Sequence, residues 1–258
     1  MRWIESQSTP VIALMVFGFC YVLTIAILCL AAMLSRRAVA QDLKAVVPVT
    51  LTTPLGVILG LLIAFLASRV WTNVDRASEY VGQEAGALRA TVLLVDSLPP
   101  DIRAGVRQAV QKHIYFIESE EWPAMASGRA TLQSIAVDLA EAMTVLLSFA
   151  PEQSNQQLAQ KRALAAIEHA LEARRNRVRL SQSEIAPIQW TVIIVLATLI
   201  LVVLAMAHIE KPFAMATTSF IFSTALAVCM VLLIIYDRPF GSGGITVSPS
   251  LLRAVVPN

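Results

Sequence analysis

Four apolar stretches decide what this chain can fold into, because each is long enough to cross a bilayer and none has a charged residue near its middle. They run over residues 11–34, 45–71, 188–208 and 213–236. At a rise of about 1.5 Å per residue, about 20 residues cross a hydrocarbon core of roughly 30 Å. None of the four contains Asp, Glu or Lys, and the one Arg among them, Arg69, stands near the end of the second. The first is longer than the short core of a cleaved signal peptide and is read as a retained helix. Composition agrees: 57% of the chain is hydrophobic and 15% is charged, against about 25% charged in an ordinary soluble domain.

The spans imply a connectivity. Only residues 209–212 separate the last two, a link so short that they form an antiparallel hairpin. Between the second and third spans lies a segment of about 115 residues whose apolar positions, for example Leu158, Leu164, Ile167 and Leu171, recur at helical spacing. Breaks are expected at Leu98-Pro99-Pro100, Glu121-Trp122-Pro123 and Ala150-Pro151. The chain is therefore expected to be an all-α integral membrane protein with four transmembrane helices and one extramembrane helical bundle. Its expected parts are residues 1–71 with the first two spans, 72–187 as the helical domain, 188–236 as the transmembrane hairpin and 237–258 as a C-terminal tail. An even number of spans puts both termini and the helical domain on one side. Arg2, Arg69, Arg76, Arg174, Arg175, Arg177, Arg179, Arg238 and Arg253 cluster near membrane ends on that side, against Arg36, Arg37, Lys44 and Lys211 opposite, which makes it the cytoplasmic side of an inner membrane.

Several function classes have little to stand on. A net charge of +2 with scattered basic residues does not suggest a nucleic-acid partner. His113, His169 and His208 lack ligand-like spacing, the three cysteines Cys20, Cys29 and Cys229 all lie in apolar runs, and no phosphate-loop, nucleophile-elbow or zinc-protease motif is present. The best carboxylate group, Glu118, Glu120 and Glu121 beside Trp122, reads first as a solvated helix end. Neither catalysis nor a metal or other cofactor is expected. Within the spans the polar groups are hydroxyls: Thr50, Thr52 and Thr53 on the second, and Thr217, Thr218, Ser219, Ser223 and Thr224 on the fourth. Such groups usually bond to their own backbone or to a neighbouring helix.

The second span is the unusual one. Pro48 and Pro54 interrupt it, and Gly56 and Gly60 follow at the spacing that lets helices approach closely. The run Pro54-Leu55-Gly56-Val57-Ile58-Leu59-Gly60-Leu61, with Arg69, Trp71 and Asn73-Val74-Asp75-Arg76 after it, resembles the second transmembrane helix of the bestrophins. Outside this region the chain is similar to a bacterial bestrophin-like domain, through Gln83-Glu84-Ala85, Leu98-Pro99, Glu121-Trp122-Pro123, Asp237-Arg238-Pro239-Phe240 and Val247-Ser248-Pro249. The resemblance implies a homo-oligomeric anion channel of five subunits, with small anions as its ions and the lipid bilayer as its surroundings. By residue-to-residue matching, its hydrophobic neck is lined by Thr53, Val57 and Leu61, with Pro54, Gly56 and Gly60 shaping the helix. Arg69, Arg76, Arg174, Arg175, Arg177 and Arg179 are expected to line a vestibule or to meet lipid headgroups. Thr53 departs from the apolar residue found there in animal bestrophins. The acidic run that binds calcium after their fourth span is absent, because Tyr236 is followed only by Asp237, Arg238 and Pro239. The alternative from a different class is a non-conducting membrane scaffold or sensor whose helical domain recruits a partner.

Overall fold

The computed structural model describes residues 9–35, 49–131, 136–241 and 246–255. Arg2, Arg36, Arg37, Lys44 and Pro48 lie outside them. The described residues form helices and no strand: α1 (Thr9–Ser35), α2 (Thr52–Leu94), α3 (Pro100–Phe116), α4 (Trp122–Ala126), α5 (Val137–Ser148), α6 (Ser154–Ser181), α7 (Pro187–Ala207), α8 (Pro212–Tyr236) and the short α9 (Ser250–Arg253). Four of them, α1, α2, α7 and α8, are long and apolar enough to cross a membrane. The chain divides into two compact units: Met1–Trp71 with Ile185–Asp237, and Thr72–Glu184 with Arg238–Asn258.

Pro54 does not interrupt the second span. A 3-10 turn over Val49–Leu51 leads into α2, and Pro54 occupies its first turn. There the missing N–H has no intrahelical acceptor to lose, so the proline starts the helix and does not break it.

In the first unit α1 packs chiefly on α8, and the core is built from Ile12, Val16, Leu59, Leu66, Ile193, Ala197, Leu226 and Leu233. The other faces are just as apolar: Leu14, Phe65, Ile188 and Phe213 stand exposed. Helices apolar all round, packed over a minority of their surface, suit a hydrocarbon solvent. Trp71 meets Tyr236 edge to face at 6.1 Å, an amphipathic pair of the kind enriched where spans leave the membrane.

Two hydroxyl contacts join α1 to α8, and their donors can be assigned. Thr224 gives its proton to the Phe220 carbonyl at 2.8 Å, so Tyr21 donates in the 3.0 Å bond to the Thr224 hydroxyl. Thr24 donates to the Cys20 carbonyl at 2.8 Å, so Ser223 donates to Thr24. At the start of the third span, the Ile185 N–H donates to Oδ1 of the buried Asp237 at 3.0 Å.

The second unit gathers Ala77, Val81, Leu88 and Val92 of α2 with Val106, Val110 and Ile114 of α3, Leu139 and Leu146 of α5, and Ile167 of α6. Alanines at 159, 163, 166, 170 and 173 make up most of the buried stripe of α6, and small side chains let neighbouring helices come close. The break expected at Glu121-Trp122-Pro123 is a π turn over Ile117–Glu121, through which the chain stays helical into α4. The widened turn accommodates the proline without ending the helix. Residues 238–255 belong to this unit and bury Phe240, Leu252 and Val255 in its core.

The Thr24–Ser223 contact yields a stability prediction for the first unit. Thr24→Val or Ser223→Ala should each cost about 1 kcal/mol, and the double variant should cost little more than either alone. Thermal unfolding in detergent checks this; fully additive losses would show that the pair does not interact.

Candidate functional site

Two features stand out, and α2 contributes to both. One is a free face. Thr53, Val57 and Leu61 are exposed, as are Pro54, Gly56 and Gly60, whereas Leu59, Leu66 and Val70 are buried. A Cβ added at Gly56 or Gly60 would meet nothing within 4 Å. Neither position is held to glycine by a neighbour within the chain. Helical spacing puts Thr53, Val57 and Leu61 one turn apart on one side.

The other feature is an ionic network sealed inside the second unit, and the sequence reading missed it. Arg177 of α6 has no exposed side-chain surface. Its Nε donates to Oε2 of Glu84 on α2 at 2.7 Å and its Nη2 to Oε1 at 3.2 Å. The same Nη2 donates to Oε1 of Glu121 at 2.6 Å. Oε2 of Glu121 in turn accepts from Nε of Arg174 at 2.7 Å. The Trp122 ring lies 5.5 Å from the Arg177 guanidinium carbon, and Phe240 meets Trp122 edge to face, also at 5.5 Å. His113 of α3 is fully buried, with Nε2 3.5 Å from Oε1 of Glu84.

Two carboxylates and two guanidiniums balance, which is the condition for keeping charge out of water. Burial alone would push the Glu84 carboxyl up, but the Arg177 guanidinium and His113 outweigh it and hold the carboxyl below its ordinary value. Burial would likewise lower Arg177, yet Glu84 and then Glu121 hold it above its ordinary value.

The structure separates the arginines that the sequence grouped together. Arg174 and Arg177 turn inward and are buried, while Arg175 and Arg179 on the opposite side of α6 are exposed. Arg174 and Arg177 thus do not reach a vestibule or a headgroup, because the period of 3.6 residues carries neighbouring positions to opposite sides. Arg69 and Arg76 are exposed. The carboxylate group also comes apart. Glu121 joins the network, Glu118 accepts from Nε of Arg253 at 2.6 Å, and Glu120 is exposed. Among the described residues, no three His, Cys, Asp or Glu side chains are placed to hold a metal ion. The sequence signal for the network was an acid, Glu84, in register with the apolar stripe Ala77, Val81 and Leu88.

Comparison with known proteins adds a family and a fold. A family model described as the bestrophin-like domain matches residues 18–252. Three structures of a bacterial bestrophin homologue from Klebsiella pneumoniae are similar to this chain. Two are single-substitution forms, each at 14% identity and TM-score 0.69; one covers 93% of this chain and 96% of its own, the other 94% and 95%. The third, solved by zinc phasing, has 14% identity and TM-score 0.68 and covers 92% and 94%. At that identity the likeness shows the fold. No curated protein matches.

The network predicts an acid-sensitive stability. A carboxylate held low contributes stability that is complete above its ordinary value of 4.5 and is lost as pH falls through its folded value. The acid limb of unfolding should therefore flatten in Glu84→Gln. Arg177→Ala should cost about 3 to 5 kcal/mol at neutral pH by leaving two buried carboxylates short of a partner, while the exposed Arg175→Ala should stay within about 0.5 kcal/mol. Equal losses at 175 and 177 would contradict this.

Proposed function

The chain belongs to the bestrophin-like family, and from that premise we propose that it is a homo-oligomeric anion channel in whose axial pore α2 supplies the neck. The family and the fold support a channel of the anion-channel type. The observation that carries the finer reading is the free face of α2. Val57 and Leu61 are large apolar side chains, 56% and 54% exposed, on a helix whose adjacent glycines leave room for close approach. Copies of α2 around an axis give those side chains and glycines a common surface to meet on.

In such a ring the neck works as a hydrophobic gate. An apolar constriction offers a passing anion no hydrogen bond in exchange for its water, so dehydration is the barrier and wetting of the neck is the switch. The Thr53 hydroxyl, one turn before Val57, moderates that barrier at one end. The exposed Arg175 and Arg179, and Arg69 and Arg76 on α2, raise the local anion concentration or hold anionic lipid headgroups. The protein is a membrane protein, and in this reading it sits in the inner membrane with both termini and the helical unit in the cytoplasm.

Two measurements check the proposal. Val57→Ala with Leu61→Ala should widen and wet the neck and raise chloride flux into liposomes severalfold, with the helical unit still folded; a silent wild type together with a silent double variant would sink the channel reading and favour a non-conducting scaffold. Reporter fusions in the link at 208–211 and at the C-terminus should give opposite signals, and identical signals would remove the four-span topology.

A further inference from the structure

Glu84, the pair Glu121-Trp122, and Phe240 belong to three short motifs far apart in sequence, and the structure gathers all of them around Arg177. The pore reading leaves this assembly unused, yet one of its members stands on α2. In the second unit α2 turns Ala77, Val81, Leu88 and Glu84 inward. Asp75, Glu79, Gln83 and Gly86 are exposed, and a Cβ added at Gly82 or Gly86 would meet nothing within 4 Å.

Apolar burial of Ala77, Val81, Leu88 and Val92 favours this setting, but hydrophobic attraction itself has no direction. An ion pair held by two parallel hydrogen bonds is directional. Turning α2 by one residue, about 100°, would swing the Glu84 carboxylate away and leave a guanidinium buried without its partner.

We propose that the Glu84–Arg177 pair is a rotational lock on α2 within the second unit: it fixes which side of this part of the helix faces the bundle. Glu84 and Arg177 are positioning residues and touch no ion. The lock is tested without any current.

The test measures cysteine reactivity in the full chain, with Cys29→Ser and Cys229→Ser as background and Cys20 left in its buried position. In otherwise native protein, Gly82→Cys on the open side should react with a water-soluble maleimide at least about tenfold faster than Ala77→Cys on the buried side. The paired change Glu84→Leu with Arg177→Met removes the lock while leaving Glu121 with Arg174, and apolar replacement of both partners of a buried pair is commonly compatible with folding. In that variant the contrast should shrink to within about threefold while helical content and oligomer mass persist. A retained tenfold contrast in the folded variant overturns the lock. Should the pair fail to fold, Glu84→Gln keeps the shape without the charge: a reduced contrast supports the lock and an unchanged one overturns it. Chloride flux separates the two readings, because a silent native protein whose labelling contrast disappears in the paired variant loses the pore and keeps the lock.

Discussion

Hydrocarbon offers a backbone N–H nothing to bond to, and the first unit is arranged around that constraint. Its four spanning helices satisfy their own backbones. The hydroxyls of Thr24, Thr191, Thr198, Thr217, Thr218 and Thr224 each return to a carbonyl of the preceding turn. With no hydrophobic effect to press helices together in lipid, packing and a few interhelical bonds must do so. The Tyr21–Thr224 and Thr24–Ser223 contacts fall where α1 meets α8. On α2, by contrast, Thr53, Val57 and Leu61 stand exposed.

The second unit meets a different problem, which is how to keep charge inside a packed bundle. Arg177 is buried, and its placement draws in Glu84 from α2, Glu121 from the π turn, Trp122 from α4 and, through Trp122, Phe240 from the segment after the last span. Ile117 and Glu121, at the two ends of the π turn, both face inward. An apolar core of the same volume could be as stable or more so. What the ionic arrangement adds is direction, since two-pronged hydrogen bonds accept one rotational setting of each helix they join.

Much of this was legible in the sequence. Span number, the α7–α8 hairpin and the all-helical class follow from uninterrupted apolar length and from the shortness of one link, both local properties. The buried network was not legible, because Arg174 and Arg177 sit in an arginine-rich run beside Arg175 and Arg179, and composition gives all four the same reading. Only the packing of α6 decides which two turn inward. Pro54 misled for a related reason: a proline breaks a helix in its interior and starts one in its first turn, and the sequence alone did not place the turn. The matched neck residues rest on a motif of one helix, and in a single chain their exposure is what a pore, a subunit contact and a lipid contact have in common.

In the proposed channel the free side of α2 faces an axis of symmetry and not lipid. Single-particle imaging of the full chain in a lipid nanodisc tests it most directly. The expected image is a ring of about five protomers with α2 innermost and with Val57 and Leu61 closest to the axis. A monomer, or a ring in which α2 lies on the lipid-facing rim and another helix lines the centre, would contradict it.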